Sequence, residues 1–269
     1  MKENKIDRGR GKGIVFAIAI LCVLAVGAKY GYDRLKEVYN DQCVIRDLPA
    51  QVEISAGKMV HPSTIAEELG LRAGKNLAEI DFAEKREAIL AKIPNLRSIR
   101  ISRKLPDKVI VTTEERTPVA RMGIRGQRGT DGRVVDTDGM VFIWQRGTQS
   151  LPVIREPAPP GAQKGHHIAG RTLAALRLIE ACHEPEFIEL NILEIDTSKH
   201  DFLVATLGNY SRVKILWNEM DEGTPNSRKD LEARLTNLRD AIRAKVSPET
   251  VIWNATIPNR IFADTQGKL

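Results

Sequence analysis

The run from Ile93 to Ala120 constrains the fold more than any other part of the chain. Ile99 and Ile101 alternate with Arg100 and Ser102, a period-two pattern that fits a strand with one buried face. Lys108 to Glu115 is a second run, rich in Val, Ile and Thr. Between them, Lys104-Leu105-Pro106-Asp107 carries turn chemistry, because proline fixes φ and aspartate bonds its own backbone. The two runs and their turn predict a β-hairpin that leads straight into a further element. The run holds no catalytic pattern, no metal cluster and no phosphate loop, so it reads as a docking module rather than a catalyst.

What precedes it adds a membrane expectation. Lys2, Lys5, Arg8, Arg10 and Lys12 against Glu3 and Asp7 put three of the six net positive charges on residues 2–12. A nucleic-acid protein carries its basic face on the folded part, so nucleic acid is discounted. The uncharged run Gly13 to Ala28 follows; its 16 residues span roughly 24 Å as a helix, short of a bilayer core. Lys29 to Tyr32 complete the length, with Lys29 able to snorkel and Tyr30 and Tyr32 suited to the interface. The basic side stays in the cytoplasm. The expectation is a single-pass anchor over 13–32 with the rest of the chain outside. A cleaved signal peptide is the alternative, since Val26-Gly27-Ala28 resembles a small-residue cleavage site.

The exported part alternates strand and helix signals. Gln42 to Ala50 reads as a linker and Gln51 to Ser55 as a short strand. Thr64 and Glu67 have capping-box spacing, Gly70 suits the residue after a helix, and Asp81 with Glu84 opens a second helix that Pro94 stops. The order to residue 116 is strand, helix, helix, strand, strand. Beyond it the pattern is mainly β: Thr137-Asp138-Gly139 is a hairpin signal, and Leu151–Ile154, Ile188–Ile195, Phe202–Leu207, Arg212–Trp217 and Val251–Ile257 read as strands. Gly170 to Ala181 is helical. Leu231, Leu235, Leu238 and Ile242 form one apolar face of another helix over about 228–245. No repeat and no pattern of coiled-coil length is present.

Three local patterns raise chemistry and none sustains it. Ser55-Ala56-Gly57-Lys58 has the Ser-x-x-Lys spacing of penicillin-interacting enzymes, but it follows a strand and its companion motifs are missing. His166-His167 lies in a Gly-flanked loop without zinc-type spacing. Gly126, Gly129 and Gly132 mark a basic loop with no Gly-Lys-Ser/Thr. Cys43 and Cys182 are far apart in sequence, and each reads as a small buried hydrophobe. The expectation is therefore a non-enzyme with no catalytic residue, no metal, no cofactor and no small-molecule substrate.

An ordered set of short motifs then resembles a known family. It comprises Leu69-Gly70-Leu71, Gly74, Asn76-Leu77, Ile80-Asp81, Ile93-Pro94, Arg103, Leu105-Pro106-Asp107, Glu115 to Ala120, Val135-Asp136, Asp138-Gly139, Val141-Phe142 and Leu151 to Ile154. This set resembles FtsQ/DivIB, the bitopic bacterial division proteins with a POTRA domain and a β-domain. The resemblance implies an α+β fold: a single transmembrane helix, a POTRA domain (β-α-α-β-β), and a mainly antiparallel β-domain with flanking helices. The expected organisation is a cytoplasmic tail 1–12, a transmembrane helix 13–32, a linker 33–49, a POTRA domain 50–116, a β-domain 117–262 and a tail 263–269. The family's final strand usually carries Asp-x-Arg; here Trp253-Asn254-Ala255-Thr256 stands in its place.

The resemblance also implies a function: a divisome scaffold in the inner membrane, enriched at the division septum. Its POTRA domain would aid recruitment, and its β-domain edge would bind FtsB/FtsL-type proteins in the periplasm that control septal peptidoglycan synthesis. A final strand at a sheet edge has unpaired backbone groups to which a partner can add a strand. Val251, Ile252, Trp253, Asn254, Ala255 and Thr256 are the expected partner-binding edge, with Trp253 as anchor or as core filler under the last helix. Arg100 and Ser102, on the outward side of the first hairpin strand, are the expected recruitment face. The alternative functions are a POTRA-type chaperone or assembly factor for secretion or outer-membrane proteins, and an exported cell-wall enzyme using Ser55 and Lys58.

Overall fold

The structure, a computed structural model, describes residues 8–264 apart from 105, 128, 145, 162, 218, 245–251, 258 and 259. Helix α1 (Arg8–Gln42) covers the apolar run and continues past it. Among the described residues no helix is long and apolar enough to cross a membrane. The tail 1–7, Leu105 of the hairpin turn and Val251 lie outside the described residues. The rest divides into two compact units. The first runs to Ile89 and takes in Ile99–Thr113; the second is Leu90–Ser98 with Glu114 onward.

In the first unit the stretch read as a linker is tied down instead. Cys43 and Ile45 are fully buried, the Ile45 N–H donates to the Lys75 carbonyl at 2.9 Å, and α2 (Leu48–Gln51) follows. Strand β1 (Val52–Ser55) leads to α3 (Pro62–Leu69), α4 (Phe82–Lys92), β2 (Leu96–Lys104) and β3 (Lys108–Glu115). The strands form a sheet of order β1-β3-β2, with β1 parallel to β3 in the register Val52 to Val109. The alternation along the hairpin is realised in part: Ile99, Val109 and Val111 are buried and Ile101 is half-buried, while Arg100 and Ser102 are exposed. The expected capping box is not. Pro62 takes the first helical position, so α3 starts before Thr64 and its N-cap, His61, makes no side-chain cap. Gly70 does end α3 in the left-handed region at φ 73°, and the Asp81 carboxylate caps α4 by accepting the Ala83 and Glu84 N–H groups.

The second unit is built on a nine-stranded, mixed, mostly antiparallel sheet. Its strands are β4 (Ala120–Ile124), β5 (Arg133–Val135), β6 (Val141–Ile143), β7 (Val153–Glu156), β8 (Ile192–Asp196), β9 (Phe202–Leu207), β10 (Arg212–Leu216), β11 (Ile252–Ala255) and β12 (Phe262–Asp264). Their order is β12-β11-β10-β9-β8-β7-β4-β5-β6. The Asp-Gly turn closes β5 onto β6 with Gly139 at φ 81°. Two of the parallel pairs, β7 with β8 and β10 with β11, need crossovers, and α5 (Gly170–Cys182) and α6 (Pro225–Arg243) supply them. Both helices pack on one face of the sheet. Leu176 and Ile179 of α5, Leu231, Leu235 and Leu238 of α6, and Met122, Ile154, Ile195, Leu203, Val213 and Ile215 of the strands form one continuous core.

One expectation about the sheet is overturned. The strand over 251–257 is not terminal. It shortens to β11, and the chain then turns back to lay β12 against it in antiparallel register, Asn254 opposite Phe262. β11 is therefore flanked on both sides, and the edge passes to β12.

Candidate partner-binding edge

The open edge is set up by α6. Thr224 caps that helix by accepting the Ser227 N–H at 3.2 Å, and Pro225 occupies its first turn. Its Leu231, Leu235 and Leu238 face the sheet, and Trp253 packs among them, only 5% exposed. Trp253 therefore fills the core, and Ala255, on the same face, is buried with it. Ile252 is fully buried and Asn254 and Thr256 are half-buried. Of the residues expected to form the partner-binding edge, the described five, Ile252 to Thr256, are buried or half-buried in and beside β11 rather than displayed, and Val251 lies outside the described residues.

Two side chains end β11 and start the turn toward β12. Asn254 Oδ1 accepts the Thr256 N–H at 3.0 Å and the Thr256 hydroxyl at 2.7 Å, a local bond that stops the strand. Arg234, buried on α6, donates from Nη1 to the Ala255 carbonyl at 2.8 Å and the Thr256 carbonyl at 3.0 Å, while its Nε meets Asp230 at 2.8 Å. These charge-assisted bonds satisfy carbonyls that the ending strand leaves open. The sequence held only a partial signal for Arg234: a cation three residues after Leu231, bordering the apolar stripe as Arg228 does on its other side.

β12 is the outermost strand, and among the described residues nothing pairs with its outer side. Phe262 is 45% exposed, and Ile257 in the preceding turn is exposed as well. Its register partner Asn254 stands beside Lys214 of β10, whose ammonium lies 5.8 Å from the Phe202 ring. The edge thus combines open backbone groups with an exposed aromatic.

The opposite edge of the same sheet is closed. Val141 of β6 donates its N–H to the His166 carbonyl at 3.0 Å, and its carbonyl accepts the Gly165 N–H at 2.8 Å. Ile168 bonds back to the Gly139 carbonyl at 2.8 Å, and the Asn95 amide donates to the Ile143 carbonyl at 2.7 Å. Arg116 adds ion pairs to Asp136 and Asp138 beside this edge. In the small sheet, Arg100 and Ser102 sit exposed on β2, one of its two edge strands.

The remaining chemistry candidates resolve locally. Ser55 ends β1 and is not at a helix start. His167 Nδ1 lies 3.1 Å from the Asp138 carbonyl, and among the described residues no group of His, Cys, Asp and Glu could hold a metal ion. Gly126, Gly129 and Gly132 all have positive φ, as turn glycines do. Cys43 and Cys182 are buried free thiols; burial pushes Cys182 up to about 12, which keeps it protonated and unreactive.

Comparisons with known proteins agree with this architecture. Residues 49–116 match the family model of the FtsQ-type POTRA domain. A curated relative, the cell division protein FtsQ of Streptomyces bingchenggensis (strain BCW-1), is 23% identical over 201 residues, which cover 74% of this chain and 73% of that protein.

Proposed function

We propose a function from the premise that the chain belongs to the FtsQ/DivIB family: it is a membrane-anchored scaffold of the bacterial divisome, linking early division proteins to septal wall synthesis. The observation that carries the reading is the FtsQ-type POTRA match over 49–116, backed by a relative named as a division protein. The anchor is the apolar run Gly13 to Ala28 completed through Tyr32, which α1 holds as one continuous helix, N-terminus in the cytoplasm. The role is one of protein–protein contact rather than catalysis. Periplasmic segments of FtsB/FtsL-type proteins add to the β-domain at β12, where open backbone groups supply a ladder and Phe262 an apolar anchor. Recruitment uses the POTRA face that carries Arg100 and Ser102.

A fluorescent protein fused to the N-terminus, with depletion of the native copy, tests this. The expected result is a midcell band during constriction and filamentous cells on depletion. Uniform membrane signal with normal division overturns it.

A further inference from the structure

The membrane accounts for the exposed apolar side chains of α1 only as far as Tyr32. Beyond it the helix runs ten more residues to Gln42, roughly 15 Å further. There Leu35 is 73% exposed and Val38 56% exposed, with no lipid to cover them. These two are not scattered. At about 100° per residue, Leu21, Leu24, Gly27, Ala28, Gly31, Leu35, Val38 and Gln42 all fall within roughly 60° of Leu24 on the helix surface. None of the six charged residues between 29 and 41 does so; Lys29, Asp33, Arg34, Lys36, Glu37 and Asp41 all lie on the remaining circumference. One uncharged face therefore runs unbroken from the lipid into water.

The same face carries Gly31 near its centre line and Gly27 at its border, one turn earlier. A helix-interior glycine is destabilising relative to alanine and normally marks a close approach. A Cβ added at either position would meet nothing within 4 Å. This chain's own packing gives no reason for the glycines, whereas a helix laid against them does.

We infer that this face of α1 pairs with the same face of a second copy of the chain, as parallel helices that cross near Gly27 and Gly31 and continue past the membrane to Val38. The inference rests on the anchor reading, because two copies inserted in one orientation are parallel. Parallel pairing sets each residue near its own image, which an uncharged face with glycines tolerates and a charged one does not. The flanks are complementary as well. Arg34 borders the face on one side and Tyr32 and Tyr39 on the other, so pairing brings Arg34 of one copy to the tyrosines of the next. In the single chain that guanidinium already lies 6.0 Å from the Tyr30 ring.

The test uses the full chain in native membranes with Cys22→Ser, which leaves the buried Cys43 and Cys182 in every variant, and one added cysteine at a time, Leu35→Cys, Val38→Cys, Lys36→Cys or Asn40→Cys, with the Cys22→Ser parent as the uncross-linked background. Membrane fractionation comes first. Mild oxidation should then cross-link the variants at 35 and 38 into dimers and leave those at 36 and 40 monomeric. Adding Gly27→Ile and Gly31→Ile should lower the dimer yield at 35 roughly tenfold. Equal cross-linking at all four positions, or none, from membrane-resident protein overturns the pairing and leaves the anchor standing. Protein absent from the membrane fraction overturns the anchor, and the pairing with it.

Discussion

At one end of the nine-stranded sheet, the chain covers β6 with its own loop; at the other, β12 meets nothing among the described residues. The two edges are equally short, three residues each, so length does not separate them. What separates them is where the outward backbone groups go. Val141 spends both on Gly165 and His166, and Asn95 takes the Ile143 carbonyl. An uncovered edge is an aggregation hazard, and proteins blunt it unless it is used. The difference therefore points to the C-terminal edge as the one kept for a partner. A three-residue strand offers few ladder bonds, so an added strand needs side-chain anchorage too, and the exposed Phe262 supplies it.

The largest expected effect falls just behind the open edge. Trp253→Ala removes a buried ring from between α6 and the sheet and should cost about 3–5 kcal/mol in urea denaturation. Partner pull-down should fall with it, because among the described residues β12 pairs only with β11. A variant that stays as stable as the parent would mean the α6 side of the sheet is not packed as described. At the edge itself, Phe262→Lys should leave the denaturation midpoint nearly unchanged. It should weaken capture of an FtsB/FtsL-type partner by about 2 kcal/mol, roughly thirtyfold. Full capture by that variant breaks the comparison, since it leaves the open edge without a role. A proline at Asn254 is the wrong probe, because that strand is paired on both sides and the change would disrupt the sheet first.

Much of this contrast was legible in the sequence, and the decisive part was not. The hairpin, both crossover helices and the Asp-Gly turn announced themselves through period and turn chemistry, and capping chemistry at Asp81 announced α4. β12 did not, because Phe262–Asp264 is too short for any alternation to register, and it straddles the start of the stretch 263–269 that reads as a tail. Trp253 was ambiguous for a physical reason: a tryptophan serves an interface and a core equally well, and only the position of α6 decides. Thr64 and Glu67 had the spacing of a cap, but Pro62 set the helix start before them. Cys43 and Ile45 looked like linker because two buried residues in a polar stretch carry no period. Arg100 and Ser102 were read as outward from alternation alone, and their exposure follows from Ile99, Val109 and Val111 facing in.

The closed edge yields smaller effects. Gly165 holds φ at 85°, a conformation a β-branched residue adopts only under strain, so Gly165→Val strains the covering loop. The expected cost is about 1–2 kcal/mol. By releasing β6 it should also produce concentration-dependent self-association in analytical ultracentrifugation. A monomeric Gly165→Val variant would mean that β6 needs no cover, and the two edges would then differ for some other reason.

The smallest effect sharpens the comparison most. Asn95 closes the far end of β6 through one side-chain bond, from Nδ2 to the Ile143 carbonyl at 2.7 Å. Its own backbone carbonyl accepts the Arg116 N–H at 2.8 Å, and a side-chain change leaves that bond alone. Asn95→Ala therefore removes one donor and nothing else, at about 1 kcal/mol. Asn95→Asp should cost more, because a carboxylate in that place turns a donor into an acceptor facing a carbonyl. Differential scanning calorimetry orders the two. Neither change should alter partner capture, because β6 and β12 stand at opposite ends of the sheet with seven strands between them. If Asn95→Ala weakens capture as Phe262→Lys does, the edges are coupled, and closing one is part of how the other is held open.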